Sequence, residues 1–487
     1  MGIKRYLATS DSTITDAYKF DNITRATGSN IGLADSLEVF SLFGNASTGS
    51  VEKSRILVEF PITSISTDRS SGIIPASGSV DFVLKLYNVR HHETVPKNFT
   101  LMVAPVSQSW DEGHGLDLDN YTDRGYGYQG LGVNWIYASS SSVGLTAWTA
   151  QGGDFLSSPL FSQSFDLGTE NLSVTITPLV EEWIAETITN NGVGIYLTSS
   201  QENAASSSVS YFTKKFSARG SEYWHNRPII EARWDSTKKD NRGNFILSSS
   251  NLSAADNLNT VYFYNYVRGQ LKDLPTIGTG AAFIRFFESG SGGTELSSSV
   301  TPSYPITGGW VETGVYSASF ACNWTGSLFY EKWFATTSGT TCFHTGTIIV
   351  EDRVPSNVNT LSEYVLNISN FKNIYRRDER ARLRVFTRER NWCPNIYSKA
   401  QASPILSIIE NVYYRIVRLA DNFQVLEYLT GSTNNDATRL SYDISGSYFD
   451  LEMSILQEDF GYGVQFLYSY NDQYVEYPKV FKFRVEK

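Results

Sequence analysis

The segment YFTKKFSARGSEYWHNRPIIEARWDS, Tyr211 to Ser236, gathers His225, Trp224, Trp234, three arginines and several acids into one short span. Such a cluster belongs either to a reactive centre or to the closing strand of a β-domain. After Pro228, a residue tolerated at the start of a strand, Ile230, Ala232 and Trp234 alternate on one face while Glu231 and Arg233 take the other. That period of two is a strand with one face on a core. Arg219 and Arg227 lie in the loop before it, where a guanidinium braces a turn by hydrogen bonding to a carboxylate. Structure outweighs chemistry in this stretch, and the fold it announces is a β-sandwich.

The same period recurs along the chain. SLEVFSLF (36 to 43), RILVEFPI (55 to 62), VDFVLKLYNV (80 to 89), LSVTITP (172 to 178) and GVGIYLTS (192 to 199) read as strands bounded by Gly, Ser, Asn or Pro. In YFDLEMSIL, Phe449, Leu451, Met453 and Ile455 share one face and Tyr448, Asp450, Glu452 and Ser454 the other. A single helix breaks the pattern: behind Thr177 as N-cap and Pro178, Val180, Trp183, Ile184, Thr187 and Ile188 recur at helical spacing until NNG at 190 to 192. Its stripe is core-packing.

Composition shifts at DSTKKDNRGNFILSSSNLSAADNLN and again at RVPSNVNT, as linkers do. The expected layout is a sandwich over 1–235, a linker over 236–260, a β-domain over 261–352, a second linker over 353–360 and a last β-domain over 361–487. The two later domains repeat an order of features: VYFYNYVRGQ answers YVLNISNFKN, GVYSASFA answers GSYFDLEMS, and HTGTIIVE answers KVFKFRVE. They read as diverged tandem immunoglobulin-like sandwiches without the Cys…Trp…Cys hallmark.

The chain has 487 residues, enough for several cores. Its 41% hydrophobic and 14% aromatic content exclude wholesale disorder, while only 18% is charged. A net charge of -10 argues against nucleic acid or an anionic membrane as partner. No signal-peptide core and no membrane-spanning apolar run is present in the sequence. Cys322, Cys342 and Cys393 form no CxxC pair, so reduced thiols are expected, with a Cys322 to Cys342 bridge as the minor alternative.

Three places could carry chemistry. The loop SWDEGHGLDLDNYTDRG sets Asp111, Glu112, Asp117, Asp119 and Asp123 in one glycine-punctuated stretch. Its plainer reading is a solvated, turn-forming loop; as a ligand set, Asp111, Asp117, Asp119 and Asp123 would suit calcium, the one cofactor the sequence raises. His91 and His92 end a strand, where neighbours point to opposite faces and do not share a metal. From Arg376 to Arg390 the chain carries seven arginines, and Arg380, Arg382 and Arg384 alternate with Ala381, Leu383 and Val385. They form a solvated face or a docking face for an acidic neighbour. Nucleic acid would want more aromatic platforms beside them than Phe386. No HExxH, GxSxG, Walker or GxGxxG motif occurs.

The order of SLEVF, SRILVEFPI, VDFVLKLYNV, SWDEG with NW at 134 to 135, AWTAQGGDF, LVEEWIAETITNNG, VGIYLTS and FSARGSEYWHNRPIIEARW resembles the DNRLRE-type carbohydrate-binding β-sandwich of modular extracellular and virion proteins. The resemblance implies a jelly-roll-like first domain, with Trp183, Trp224 and Trp234 as fold residues. Layout and C-terminal run YYRIVRLADNFQVLEYLTGSTNNDATRLSYDISGSYFDLEMSIL are similar to virion structural proteins of large tailed bacteriophages, marine ones especially. That implies a non-enzymatic, oligomeric particle protein of neck, tail or head, contacting other virion proteins and neither nucleic acid nor membrane. The alternative is an adhesin for host surface glycan, stacking sugars on Trp110, Trp135, Trp148 and Tyr126 or Tyr128. A polysaccharide-degrading enzyme ranks third.

Overall fold

A computed structural model of the chain describes residues 2–44, 50–90, 95–119, 131–141, 144–202, 210–290, 292–301, 303–339, 341–350, 364–390, 392–393, 395–400, 407–431, 436–470 and 473–487. The fold is all-β, as the alternating segments require. Two compact units divide the chain, one built on Gly2–Asp235 and one on Ser236–Thr430 with Asp436–Lys487.

The first unit contains β1 (Ile3–Leu7), β2 (Ser10–Thr15), β3 (Ser36–Gly44), β4 (Ser50–Glu59), α1 (Ile62–Ser70), β5 (Asp81–Leu86), β6 (Phe99–Pro105), β7 (Tyr137–Ser141) and β8 (Gly144–Ala147). It continues with β9 (Phe161–Phe165), β10 (Leu172–Thr175), α2 (Thr177–Ile184), β11 (Val193–Leu197), α3 (Ser199–Glu202), β12 (Tyr211–Ser217) and β13 (Ile229–Arg233). One sheet runs β1-β13-β5-β10; the other runs β12-β3-β4-β11-β6-β9, with β2 beside β4. Leaving aside β2, β3, β12 and the β7-β8 hairpin, the strands interleave as first-eighth-third-sixth against second-seventh-fourth-fifth. This is a jelly roll. Between the sheets lie Val39, Ile56, Val58, Phe82, Leu84, Val103, Ile195 and Ile230, all fully buried.

Three local expectations are corrected. The helix expected to reach Ile188 ends at Ile184, because Glu186 takes a left-handed φ of 58°. Thr177 does not cap it; its Oγ1 accepts from the Phe82 N–H at 2.8 Å and so fastens the helix start to β5. A second helix, α1, follows Pro61, where strand was read up to Ile62. ITSISTDRS buries only Ile65 and so leaves no apolar stripe for periodicity to detect. α1 packs on α2, with Arg69 Nη2 donating to Glu181 Oε1 at 2.7 Å.

β13 is last in the jelly roll but lies inside its sheet, paired with β1 (Ile3↔Arg233, Arg5↔Glu231) and with β5 (Glu231↔Val83). Both its edges are paired and both its faces are buried as well, Glu231 being only 1% exposed. Arg5 Nε and Arg233 Nε each reach its carboxylate at 2.7 Å, and Lys85 Nζ lies 3.6 Å away. Burial alone would raise the carboxyl; Lys85, Arg5 and Arg233 override it and hold Glu231 well below the usual range.

The second unit holds two sandwiches. The first contains β14 (Asn259–Tyr264), β15 (Tyr266–Val267), β16 (Gln270–Leu271), β17 (Ala282–Phe287), β18 (Val300–Thr301), β19 (Ile306–Glu312), β20 (Val315–Cys322), β21 (Leu328–Phe334) and β22 (Cys342–Ile349). Its strands follow one path, β14-β20-β19-β17-β21-β22. β19 belongs to both layers: Ile306 to Gly308 pair with β17, and Gly309 onward with β20. A Cβ at Gly308 would lie 2.5 Å from Ser317 O, so the crossing strand requires glycine there. The layers meet where Phe286 stands 4.4 Å from Phe320.

The last sandwich contains β23 (Tyr364–Ile368), β24 (Ile374–Arg376), β25 (Arg380–Glu389), α4 (Ile396–Ala400), β26 (Val412–Arg418), β27 (Phe423–Leu426), β28 (Ser441–Asp443), β29 (Gly446–Glu452), β30 (Gly461–Tyr470), β31 (Gln473–Glu476) and β32 (Phe481–Glu486). Its sheets run β23-β25-β29-β28 and β24-β32-β30-β26-β27, with β24 and β32 parallel. Lettered in chain order these are A-B-E-D and A′-G-F-C-C′, the immunoglobulin arrangement. Tyr462, at the start of β30, donates to Gln457 O and accepts from Gln457 N–H, both at 2.8 Å. That is the tyrosine corner of such domains. The cysteines are free, Cys322 buried and Cys342 and Cys393 exposed, so the alternative bridge is not formed.

Tyr462→Phe deletes both corner hydrogen bonds without changing ring packing and leaves the Gln457 N–H unpaired. It should cost roughly 1 to 3 kcal/mol, read as a lower urea midpoint in hydrogen exchange of β30 peptides. An unchanged midpoint would deny the corner any role.

Candidate functional site

The tryptophans expected to stack on sugar are not open platforms. Trp110, Trp135 and Trp148 are buried in a second core with Ile14, Leu57, Val106, Val133 and Ala138, on the outer side of the larger jelly-roll sheet. The indole N–H of Trp110 donates to Asn191 O and that of Trp148 to Asn134 O, each at 2.9 Å. Arg55 lies 5.4 Å from the Trp135 ring and forks onto Glu202 at 2.6 and 3.0 Å. A ring whose polar edge is taken and whose faces are packed has nothing left for a pyranose. Tyr126 and Tyr128 lie outside the described residues.

The acidic loop is organised around Asn30. Its Nδ2 donates to Glu112 O and Val133 O, both at 2.7 Å, and its Oδ1 accepts from the Gly115 N–H at 2.7 Å. Gly113 and Gly115 serve this knot: a Cβ on Gly115 would lie 1.8 Å from Asn30 O, and Gly113 needs a φ of 81°. The expected calcium ligands do not come together in it. Asp111 is exposed, and Asp117 Oδ1 accepts from the Asp119 N–H at 2.9 Å as a turn. Asp123 lies outside the described residues, as do His91 and His92. Among the described residues no group of three His, Cys, Asp or Glu is placed to hold a metal ion.

Glu112 turns inward instead. Arg219 grips it with Nε at 3.0 Å and Nη2 at 2.6 Å, and the Asp11 N–H donates to its Oε1 at 2.9 Å. The carboxylate of Asp11 accepts in turn from the Arg219 N–H. Burial, with Glu112 adding to it, pushes the Asp11 carboxyl up to about 7. A carboxyl poised near neutrality could serve as a general acid, yet Asp11 is 1% exposed and its oxygen is engaged. Its titration acts on the fold. Arg219 thus braces its loop as expected, whereas Arg227 does so through a carbonyl, Ser221 O, at 3.0 Å. His225 is buried and stacked on Trp224 at 4.1 Å.

On β25 the arginines do alternate with buried Ala381, Leu383 and Val385. Their charge is answered within the sheet by β29 and β28. Arg382 forks onto Asp450 at 2.8 and 3.0 Å, Arg384 reaches Asp443 at 2.6 Å, and Arg380 stands 3.7 Å from Asp450. Both Arg382 and Arg384 lie over the Tyr448 ring, at 4.4 and 4.9 Å. Arg380 keeps most of its exposure and is the member of the trio freest to meet a neighbour.

The stretch expected as a linker over 236–260 carries an ordered joint that composition did not reveal. Arg242 Nη1 donates to Asp240 Oδ2 at 2.6 Å and to Tyr262 O at 2.8 Å, and the guanidinium also pairs with the fully buried Glu331. The Asp240 N–H donates to Tyr442 O at 3.1 Å. A polar run has no period to announce such anchoring.

No protein-family model matches the chain, and no curated protein matches it. Among solved structures, a marsupial T cell receptor is 11% identical, covering 47% of this chain and 68% of that one, with a TM-score of 0.17. The native conformation of alpha-2-macroglobulin from E. coli is 9% identical, covering 88% of this chain and 21% of that one, with a TM-score of 0.16. Likeness at this level carries no assignment.

Because folding raises the Asp11 carboxyl, its contribution is full below the unfolded value and lost as pH rises through about 7. Asp11→Asn removes that slope. The variant should gain on the parent by up to roughly 1 kcal/mol per pH unit between mildly acidic and neutral pH, measured by urea unfolding with hydrogen exchange in jelly-roll peptides. A difference independent of pH would overturn the assignment.

Proposed function

We propose that this chain is a non-enzymatic structural protein of a tailed-bacteriophage particle, serving assembly or attachment in the neck, tail or head. One observation carries the reading: the side chains best suited to chemistry or sugar binding are engaged in holding loops and strands. Glu112 and Arg219 hold each other, Trp110 and Trp148 donate to backbone carbonyls, and Arg382 forks onto Asp450. What remains for partners is shape and scattered exposed apolar side chains, among them Phe20 at 91% and Ile23 at 82% exposure.

Broad, weakly charged surfaces of this kind suit contacts with other virion proteins and with copies of the same chain in a closed symmetric ring. The jelly roll and the two sandwiches supply rigid bodies for such contacts. Among the described residues no helix is long and apolar enough to cross a membrane.

Immunogold electron microscopy of purified particles, with antibody against this chain, should place gold at one level of the particle. Unlabelled particles that bind control antibodies would overturn the proposal.

A further inference from the structure

We infer that Lys214 and Asn88 condense into an intramolecular isopeptide bond that fastens the two sheets of the jelly roll to each other. Lys214 lies on β12, the edge strand of the larger sheet, yet its side chain turns inward and is 2% exposed. Its Nζ donates to Asn88 Oδ1 at 2.6 Å and to Gly168 O at 2.7 Å. Asn88 follows β5, a strand of the other sheet, and its backbone bridges to Phe216. Amine and amide, 126 positions apart in the chain, therefore meet where the chain leaving β5 runs along the edge strand of the other sheet, with the Ser217 N–H donating to Tyr87 O and the Val89 N–H to Lys215 O.

The surroundings suit a reaction more than an ion pair. Buried lysines are ordinarily matched by a charge, whereas both acceptors here are neutral oxygens and the walls are the rings of Phe165 and Phe216, 5.1 and 5.3 Å from Nζ. Burial pushes the ammonium down to about 8 against the pull of Glu170, so free amine is available near neutrality. The backbone that carries the amide is fixed: the Asn88 main-chain N–H donates to Asn171 Oδ1 at 2.8 Å. Glu170 sits in the same loop as Gly168 and Asn171. Its Oε1 accepts from the Leu167 N–H at 2.7 Å. Burial would raise the carboxyl, but backbone N–H groups of the loop outweigh it and hold the carboxyl below its usual range, so it stands ionised and able to accept a proton.

The step balances with the groups at hand. Neutral Nζ attacks Asn88 Cγ, one bond from the oxygen it already touches, and a tetrahedral centre forms. Glu170 takes a proton from Nζ and delivers it to Nδ2; the Cγ–Nδ2 bond breaks and ammonia leaves. A secondary amide remains, and neither oxidant nor reductant enters.

Intact-mass measurement of the purified full chain should find it lighter than its sequence by one ammonia. Proteolysis should release a branched peptide joining the segments that hold Asn88 and Lys214. Lys214→Met and Asn88→Ala should each restore the full sequence mass. Glu170→Gln should slow the loss of ammonia by about a hundredfold, the scale of general acid–base assistance, although removing its charge lets the Lys214 ammonium fall further and moves the pH profile to more acidic values; a purely electrostatic role would speed the loss instead. A folded wild-type chain that keeps its full sequence mass after prolonged incubation at mildly alkaline pH would overturn the inference. So would a loss of ammonia mapped to a succinimide with no branched peptide. The wild-type mass decides the matter even where a variant fails to fold.

Discussion

The jelly roll depends on one buried anion. β13 pairs with both β1 at the start of the unit and β5 in its middle, and Glu231 stands at the centre of that pairing. Desolvating a carboxylate is expensive, and three cations from three adjacent strands offset it. Removing one partner of such a set typically costs about 3 to 5 kcal/mol, because the others are left buried and unmatched. Since the Glu231 carboxyl is held far below its usual value, its contribution lasts through neutral and mildly acidic pH and is lost only as pH falls through that depressed value. The arrangement also fixes register, since a slip of one residue would set Arg5 against an apolar partner.

How far the sequence could be read follows from which signals have a period. Strands do: the alternation around Ile230 and around Leu383 gave the right faces, and the all-β class follows from many such runs. Helix α2 showed its stripe, whereas α1, with one buried residue, did not. Charge and aromatic content have no period, and there the sequence misled. Trp110, Trp135 and Trp148 look like sugar platforms on a list, but they roof the outer side of a sheet. The carboxylates of the acidic loop look like ligands, but Glu112 belongs to Arg219, and Gly113 and Gly115 belong to Asn30. The apparent repeat of the last two domains holds at β20 with β29 and at β22 with β32. It slips at their beginnings, where β14 pairs directly with β20 while β25 stands between β23 and β29.

Asp11, Lys214 and Arg242 were invisible for a different reason. Each is an ordinary residue in a polar run, and its importance arises only from partners 208, 126 and 89 positions away. Long-range pairing of single polar residues is the part of a β-fold that local patterns cannot carry. The low overall charge now has a physical sense as well: a good share of the charged side chains are matched inside the units.

The corner built on Tyr462 has a consequence for how the last sandwich is joined. In antibody-type domains the position two residues later holds one half of the cystine that pins the sheets; here it is Val464, fully buried. The pinning falls to a hydroxyl and to the stack of Tyr414 on Phe449 at 4.4 Å. A sandwich held in this way needs no disulfide to join its sheets. Its two sheets are pinned without a cystine, so no oxidative step is needed to join them.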